Sequence, residues 1–131
     1  MKTTNRVICN AVCTYFGMDP LEIFQKTRKG TVVFPRQLFH YLAAKWTANT
    51  LAKIGNYGNE AYRSGYYDHA TVLHSKKLIS NLLYINDKEV CESIIAIEAI
   101  ITKSIFIEHS FIPTNVHLLS KCKNSIETII L

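Results

Sequence analysis

With 131 residues, 48% of them apolar and 19% charged, the chain holds enough apolar material for one ordinary core and too little length for a second full domain. The basic start, Met1 to Arg6, leads only into Val7 and Ile8 before Cys9 and Asn10, and charge interrupts every apolar stretch short of a bilayer span, so a soluble cytoplasmic protein without leader or membrane segment is expected. The net charge of +5 is uneven: residues 1–83 carry eleven Lys or Arg against four acids and residues 84–131 carry four against six, which suits a polyanion-binding surface with an appendage, or a generally basic solvated surface.

In chain order, Thr3 or Thr4 caps a first helix through about Phe16, ended by Gly17. Asp19-Pro20-Leu21-Glu22 restarts one, with Asp as cap, Pro at the first position and a carboxylate in the first turn. Gln25 to Val33 is polar, basic and without period, which predicts a loop in which Gly30 breaks any continuing helix. Pro35 then opens a third helix that places Leu38 and Leu42 on neighbouring turns and fades near Thr47 to Asn49.

Thr50 caps a fourth helix running to about Gly58, and Asp68 caps a fifth running to about Leu83. On the fifth, Val72, Ile79 and Leu83 form an apolar stripe opposite a row of Ala70, His74, Lys77 and Asn81. Asp87 caps a sixth, where Val90, Ile94, Ile97 and Ile101 repeat at helical spacing. A last segment sets Leu118, Leu119, Cys122, Ile126, Ile129 and Ile130 along one side, either to pack back on the domain or to form a homodimer surface. The expectation is an all-α fold of about six helices with an extra C-terminal helical segment.

Cys9, Cys13, Cys91 and Cys122 lack paired C-x-x-C spacing, and Cys9 with Cys13 is a four-residue helical step without a second ligand pair, so reduced thiols and no metal are expected. No G-x-x-x-x-G-K-[ST] loop is present, and neither Cys9 nor His40 has a helpful acid near it in sequence. No enzyme, no cofactor and no nucleotide are expected.

The stretch Y-Y-D-H-A-T-V-L-H-S-K-K, Tyr66 to Lys77, remains. Taken singly, Asp68 is a helix cap, His69 and Thr71 are solvated first-turn residues, and Lys76 and Lys77 are surface charges. Taken together, a short helix, a connection and a helix whose first turn carries base-reading groups form the layout of a helix-turn-helix entering the major groove. A carboxylate accepts from cytosine N4, an imidazole bonds base or phosphate, and a methyl meets thymine.

D-H-A-T-V-L-H-S resembles the D-H-T-T-V-L-H-A signature of the C-terminal DNA-binding domain of the bacterial replication initiator DnaA family. F-P-R-Q-L-F-H-Y-L-A, T-L-A-K-I-G and Val7 to Phe24 are similar to further segments of that domain in the same order, over residues 3 to 85. The resemblance implies a Trp-repressor-like helix-turn-helix domain over residues 1–85; residues 86–131 have no counterpart in it and are expected, from their apolar spacing, to be a helical extension for packing or dimerisation. It implies double-stranded DNA as partner, at sites related to DnaA boxes, in replication initiation or its regulation; because the sequence has no phosphate-binding loop, no ATPase activity is expected. Arg28 matches the minor-groove arginine; Asp68, His69, Ala70 and Thr71 match the major-groove readers; Lys26, Arg36, Gln37 and Thr47 match phosphate contacts. Three departures stand out. Ala70 replaces a threonine, Tyr67 replaces an arginine, and the interval between Gly55 and Asp68 is about twice the family's, so the turn is expected to be a small loop whose Arg63 and tyrosines contact DNA or pack. A protein-interaction module on the same fold, relieved of DNA reading, or a transcriptional regulator is the alternative.

Overall fold

Local capping chemistry sets most of the helix starts. The computed structural model describes residues 2–109, which form seven helices. Helix α1 (Asn5–Phe16) starts at Thr4, whose hydroxyl accepts from the Val7 N–H at 3.4 Å, and stops at Gly17, which takes the left-handed φ of 64°. Helix α2 (Pro20–Ile23) carries the expected capping box between Asp19 and Glu22. Helix α4 (Leu51–Gly55) starts at Thr50, α6 (His69–Tyr84) at Asp68 and α7 (Lys88–His109) at Asp87, each cap side chain accepting from a backbone N–H three residues on.

Two expectations are corrected. Helix α3 (Gly30–Trp46) begins inside the expected loop, so Gly30 opens the helix instead of breaking one and Pro35 sits within it. Proline at 35 lacks only the bond toward the Thr31 carbonyl. Burial of Pro35 and the edge-on packing of Phe34 against Phe16, with centroids 5.9 Å apart, outweigh that loss. The expanded turn holds a further helix, α5 (Tyr57–Tyr62), where a loop was expected. Tyr57 and Tyr62 pack against Phe24 at centroid distances of 5.8 and 6.2 Å, and that aromatic contact holds a segment whose Gly58 and Asn59 are poor helix formers.

Helix α1 packs against α3 and α7, while α6 lies across α3 and α4. Ile8, Val12, Leu38, Leu42, Val72, Ile79, Ile97 and Ile101 meet in one core and are fully buried, each worth about 1.5–3 kcal/mol of apolar transfer. Of the α7 isoleucines, Ile94, Ile97, Ile101 and Ile105 belong to that same core. Glu98 fastens α7 to the end of α3, accepting from Lys45 Nζ at 2.6 Å and from the Trp46 indole N–H at 2.8 Å. Among the described residues the only extended pairing is an isolated bridge between Thr3 and Thr47, and no helix is long and apolar enough to cross a membrane. The expected C-terminal segment with Leu118, Leu119, Cys122, Ile126, Ile129 and Ile130 lies outside the described residues.

The insertion does not pry the helix pair apart, because its two ends meet. Tyr67 N–H donates to the Gly55 carbonyl at 3.0 Å, and a Cβ on Gly55 would stand 1.9 Å from the Tyr67 carbonyl oxygen. Only glycine permits that approach. Residues 56–66 therefore leave and return through a closed neck, packed against Phe24 through Tyr57 and Tyr62, and α4 still packs against α6.

Candidate nucleic-acid interface

The first turn of α6 is presented to solvent: Asp68, His69, Ala70 and Thr71 are all exposed, while Val72 beneath them is fully buried. Asp68 Oδ1 accepts from both the Thr71 N–H (2.9 Å) and the Thr71 hydroxyl (2.8 Å). Those two bonds hold the Asp68 carboxyl below its ordinary range, so it is an acceptor at neutral pH. Its second oxygen remains open for an outside donor, and Thr71 is left offering a methyl and hydroxyl lone pairs. The helix start adds a partial positive charge to this surface.

Beside this turn lies the basic loop between α2 and α3. Lys26 Nζ donates to the Tyr66 carbonyl and stands 3.8 Å from the centroid of the Tyr67 ring. Arg36 reaches back from α3, donating through Nη1 to the Gln25 carbonyl at 2.8 Å and through Nη2 to the Thr27 carbonyl at 3.4 Å, with its guanidinium 4.6 Å from the Tyr67 ring. Tyr67 completes the junction by donating its hydroxyl to the carbonyls of Phe24 (3.1 Å) and Gln25 (2.9 Å). Burial lowers the Arg36 pKa and raises that of Tyr67, so Tyr67 is a neutral donor here. Lys26, Thr27, Arg28, Arg36 and Tyr67 line one open cleft of about 260 Å³. Three cations converge on it.

The nine expected contact residues divide by their surroundings. Arg28, Asp68, His69, Ala70 and Thr71 are exposed, and Lys26 is exposed with its ammonium over Tyr67. Gln37 is half-buried on α3. Arg36 is only 8% exposed, with two of its N–H groups committed to the loop, and Thr47 is only 3% exposed, its hydroxyl donating to the Ala43 carbonyl at 2.6 Å. Of the residues in the expanded turn, Tyr57 and Tyr62 pack inward, whereas Arg63 and Tyr66 face solvent.

Sequence reasoning missed Tyr67 and Gly55 as parts of the site. The signal for Gly55 was the I-G step closing the fourth helix; the signal for Tyr67 was its place directly before the cap residue. Beneath the site, His40 places Nδ1 3.0 Å from the Ser75 hydroxyl, while its buried Nε2 meets no partner among the described residues. Burial first, and Arg36 second, push the His40 pKa down to about 3, so the ring is neutral. The thiol of Cys9 is raised well above the ordinary thiol range by its hydrogen bond with Cys13 and by burial, which leaves it unreactive. Among the described residues, no three His, Cys, Asp or Glu side chains gather as metal ligands would.

Comparison with known proteins matches residues 6–79 to the family described as bacterial dnaA protein helix-turn-helix. The chain is similar to the chromosomal replication initiator protein DnaA of Bacteroides thetaiotaomicron, 36% identical over 97 residues, which is 73% of this chain and 19% of that protein. It is similar to the protein of the same name from Flavobacterium psychrophilum, 44% identical over 77 residues (58% of this chain, 15% of that protein), and from Bacteroides fragilis, 41% identical over 73 residues (55% and 14%). The chain therefore spans about a fifth or less of the length of these relatives.

Proposed function

Since the chain belongs to the helix-turn-helix family of bacterial DnaA proteins, we propose that it binds double-stranded DNA at sites related to DnaA boxes, in replication initiation or its regulation. The single observation that carries this reading is the adjacency of two exposed elements, the first turn of α6 and the cation-lined cleft of the basic loop, joined through Tyr67. In this reading α6 enters the major groove, where the open oxygen of Asp68 accepts from a cytosine amino group, His69 bonds a base edge, and Ala70 and the Thr71 methyl meet thymine methyls. Arg28 enters the adjacent minor groove, where narrow A·T-rich sequence concentrates negative potential. Lys26 and Gln37 hold phosphates. Arg36 braces the loop, reaching a phosphate only with the N–H groups left over, and Thr47 acts through the end of α3. The role is duplex recognition, with no ATP turnover by these residues, and it places the chain at the nucleoid.

Selection of bound duplexes from random DNA tests the reading. A preferred site should emerge whose affinity falls steeply with salt, and Lys26→Ala should lessen the salt slope by about 1 without changing preference. His69→Ala should cost about 1–3 kcal/mol of discrimination at its base position, and Arg28→Ala should act separately at an A·T-rich flank. Recovery of no preferred sequence, or a preference indifferent to both substitutions, would remove this function.

A second reading is association through α7, favoured by the 70% exposure of Ile95 and the 61% exposure of Ile107 on a helix whose opposite face is buried. A homodimer formed there should appear in sedimentation equilibrium. A monomer at high concentration refutes it.

A further inference from the structure

We propose that Tyr67 is a positioning residue that sets the basic loop against the first turn of α6, so that this chain reads two grooves with one fixed spacing. The inference rests on the DNA-binding reading above and deepens it. Tyr67 is 6% exposed, although it stands directly before the exposed cap residue Asp68. Its backbone is fixed on one side: the N–H donates to the Gly55 carbonyl at 3.0 Å, and its own carbonyl oxygen lies so near Gly55 that no side chain fits there. Its side chain is fixed on the other, with the hydroxyl on the carbonyls of Phe24 and Gln25 and the ring beneath the charges of Lys26 and Arg36. One residue thus touches the end of α4, leads into α6 and holds the root of the loop that carries Arg28.

The loop has a physical need for such a hold. Lys26, Arg28 and Lys29 stand within four consecutive positions and repel one another, and Arg28 itself meets no partner among the described residues. Left loose, the segment would have to be ordered at the moment of binding, which takes away affinity. Anchored at residues 24–27, it leaves Arg28 only one residue from a fixed point. The ring contributes cation–π attraction and the hydroxyl contributes direction, and the two can be separated by substitution.

Tyr67→Phe keeps the ring and its burial while deleting only the hydroxyl. In the free protein, 15N relaxation should show faster motion at residues 25–29, with the α6 backbone unchanged. On a panel of duplexes, the preference for A·T over G·C pairs at the minor-groove flank should fall about three- to tenfold, as one or two neutral hydrogen bonds allow. That fall should vanish in an Arg28→Ala background, and the preference read by His69 should persist. A merely structural role moves melting temperature alone, and equally in both backgrounds. If the parent protein discriminates among duplexes while Tyr67→Phe leaves both loop motion and flank preference unchanged, the positioning role is overturned and the DNA reading stands. Equal, additive losses with and without Arg28 overturn it as well. If the parent protein prefers no duplex, the DNA reading itself has failed, whatever Tyr67→Phe does to the loop.

Discussion

Lowering the pH from about 7 to about 5 should weaken the fold by about 2 kcal/mol through one side chain, His40. The folded ring is neutral, because it is buried and faces the Arg36 charge, and its pKa is depressed to about 3 from the ordinary 6.5. The unfolded chain takes up a proton near the ordinary value and the folded chain does not. Stability is therefore fully present above about pH 6.5 and is lost progressively as the pH falls toward about 3, at up to roughly 1.4 kcal/mol per pH unit. Asp68, whose carboxyl is lowered by its bonds from Thr71, stays ionised between about pH 7 and about pH 5 and does not imitate the effect across that interval. For a chain of this size the loss corresponds to a fall in melting temperature of roughly 6–12 °C, measurable by calorimetry at the two pH values. NMR of the folded protein should show His40 ring signals that do not titrate across the interval. Equal stability at both pH values, or a His40 signal with a midpoint near the ordinary imidazole value, refutes the neutral buried ring.

Gly55→Ala should destabilise by about 3 kcal/mol, because its Cβ would meet the Tyr67 backbone at 1.9 Å and neither chain can yield without opening the neck; denaturant unfolding within about 0.5 kcal/mol of the parent would contradict that geometry. At Asp68, replacement by Ala should lower the melting temperature by removing the cap, whereas Asn keeps the cap; if Asp68→Asn also leaves base preference unaltered, Asp68 is a cap and not a reader.

The helix starts were legible because capping is a short-range matter. Thr4, Asp19, Thr50, Asp68 and Asp87 all accept from backbone two or three residues away, and the sequence contains everything such a bond needs. The stripe of Val72 and Ile79, and that of Val90, Ile94, Ile97 and Ile101, were legible for the same reason, since one helix period decides which side is buried. Misreadings fell where distant partners decide. Gly30 and Pro35 are ordinary breakers, yet Phe34 finds Phe16 and the helix begins at Gly30 and runs through Pro35; Tyr57 and Tyr62 become helical through Phe24. In the candidate site, the exposed group at Asp68 to Thr71 and Arg28 was readable from residue type and resemblance. The burial of Arg36 and the junction at Tyr67 were not, because each depends on carbonyls or rings that the sequence does not place: Arg36 reaches the Gln25 carbonyl and the Tyr67 ring, and Tyr67 reaches the Phe24 and Gln25 carbonyls, all more than ten positions away.

The contact of Glu98 with Lys45 and Trp46 also gives the molecule a built-in optical probe. The sequence has a single tryptophan, and its indole N–H is held by a carboxylate on α7, a helix that lies outside the family match and away from Asp68 and Arg28 in the chain. Intrinsic tryptophan emission therefore follows the seating of α7 against the end of α3. A spectral shift on adding duplex would mean that binding is felt at α7, while a silent indole during tight binding would mean that the two ends of the domain work independently. Glu98→Gln, which keeps an acceptor for the indole and removes the charge facing Lys45, separates the two contributions to that signal.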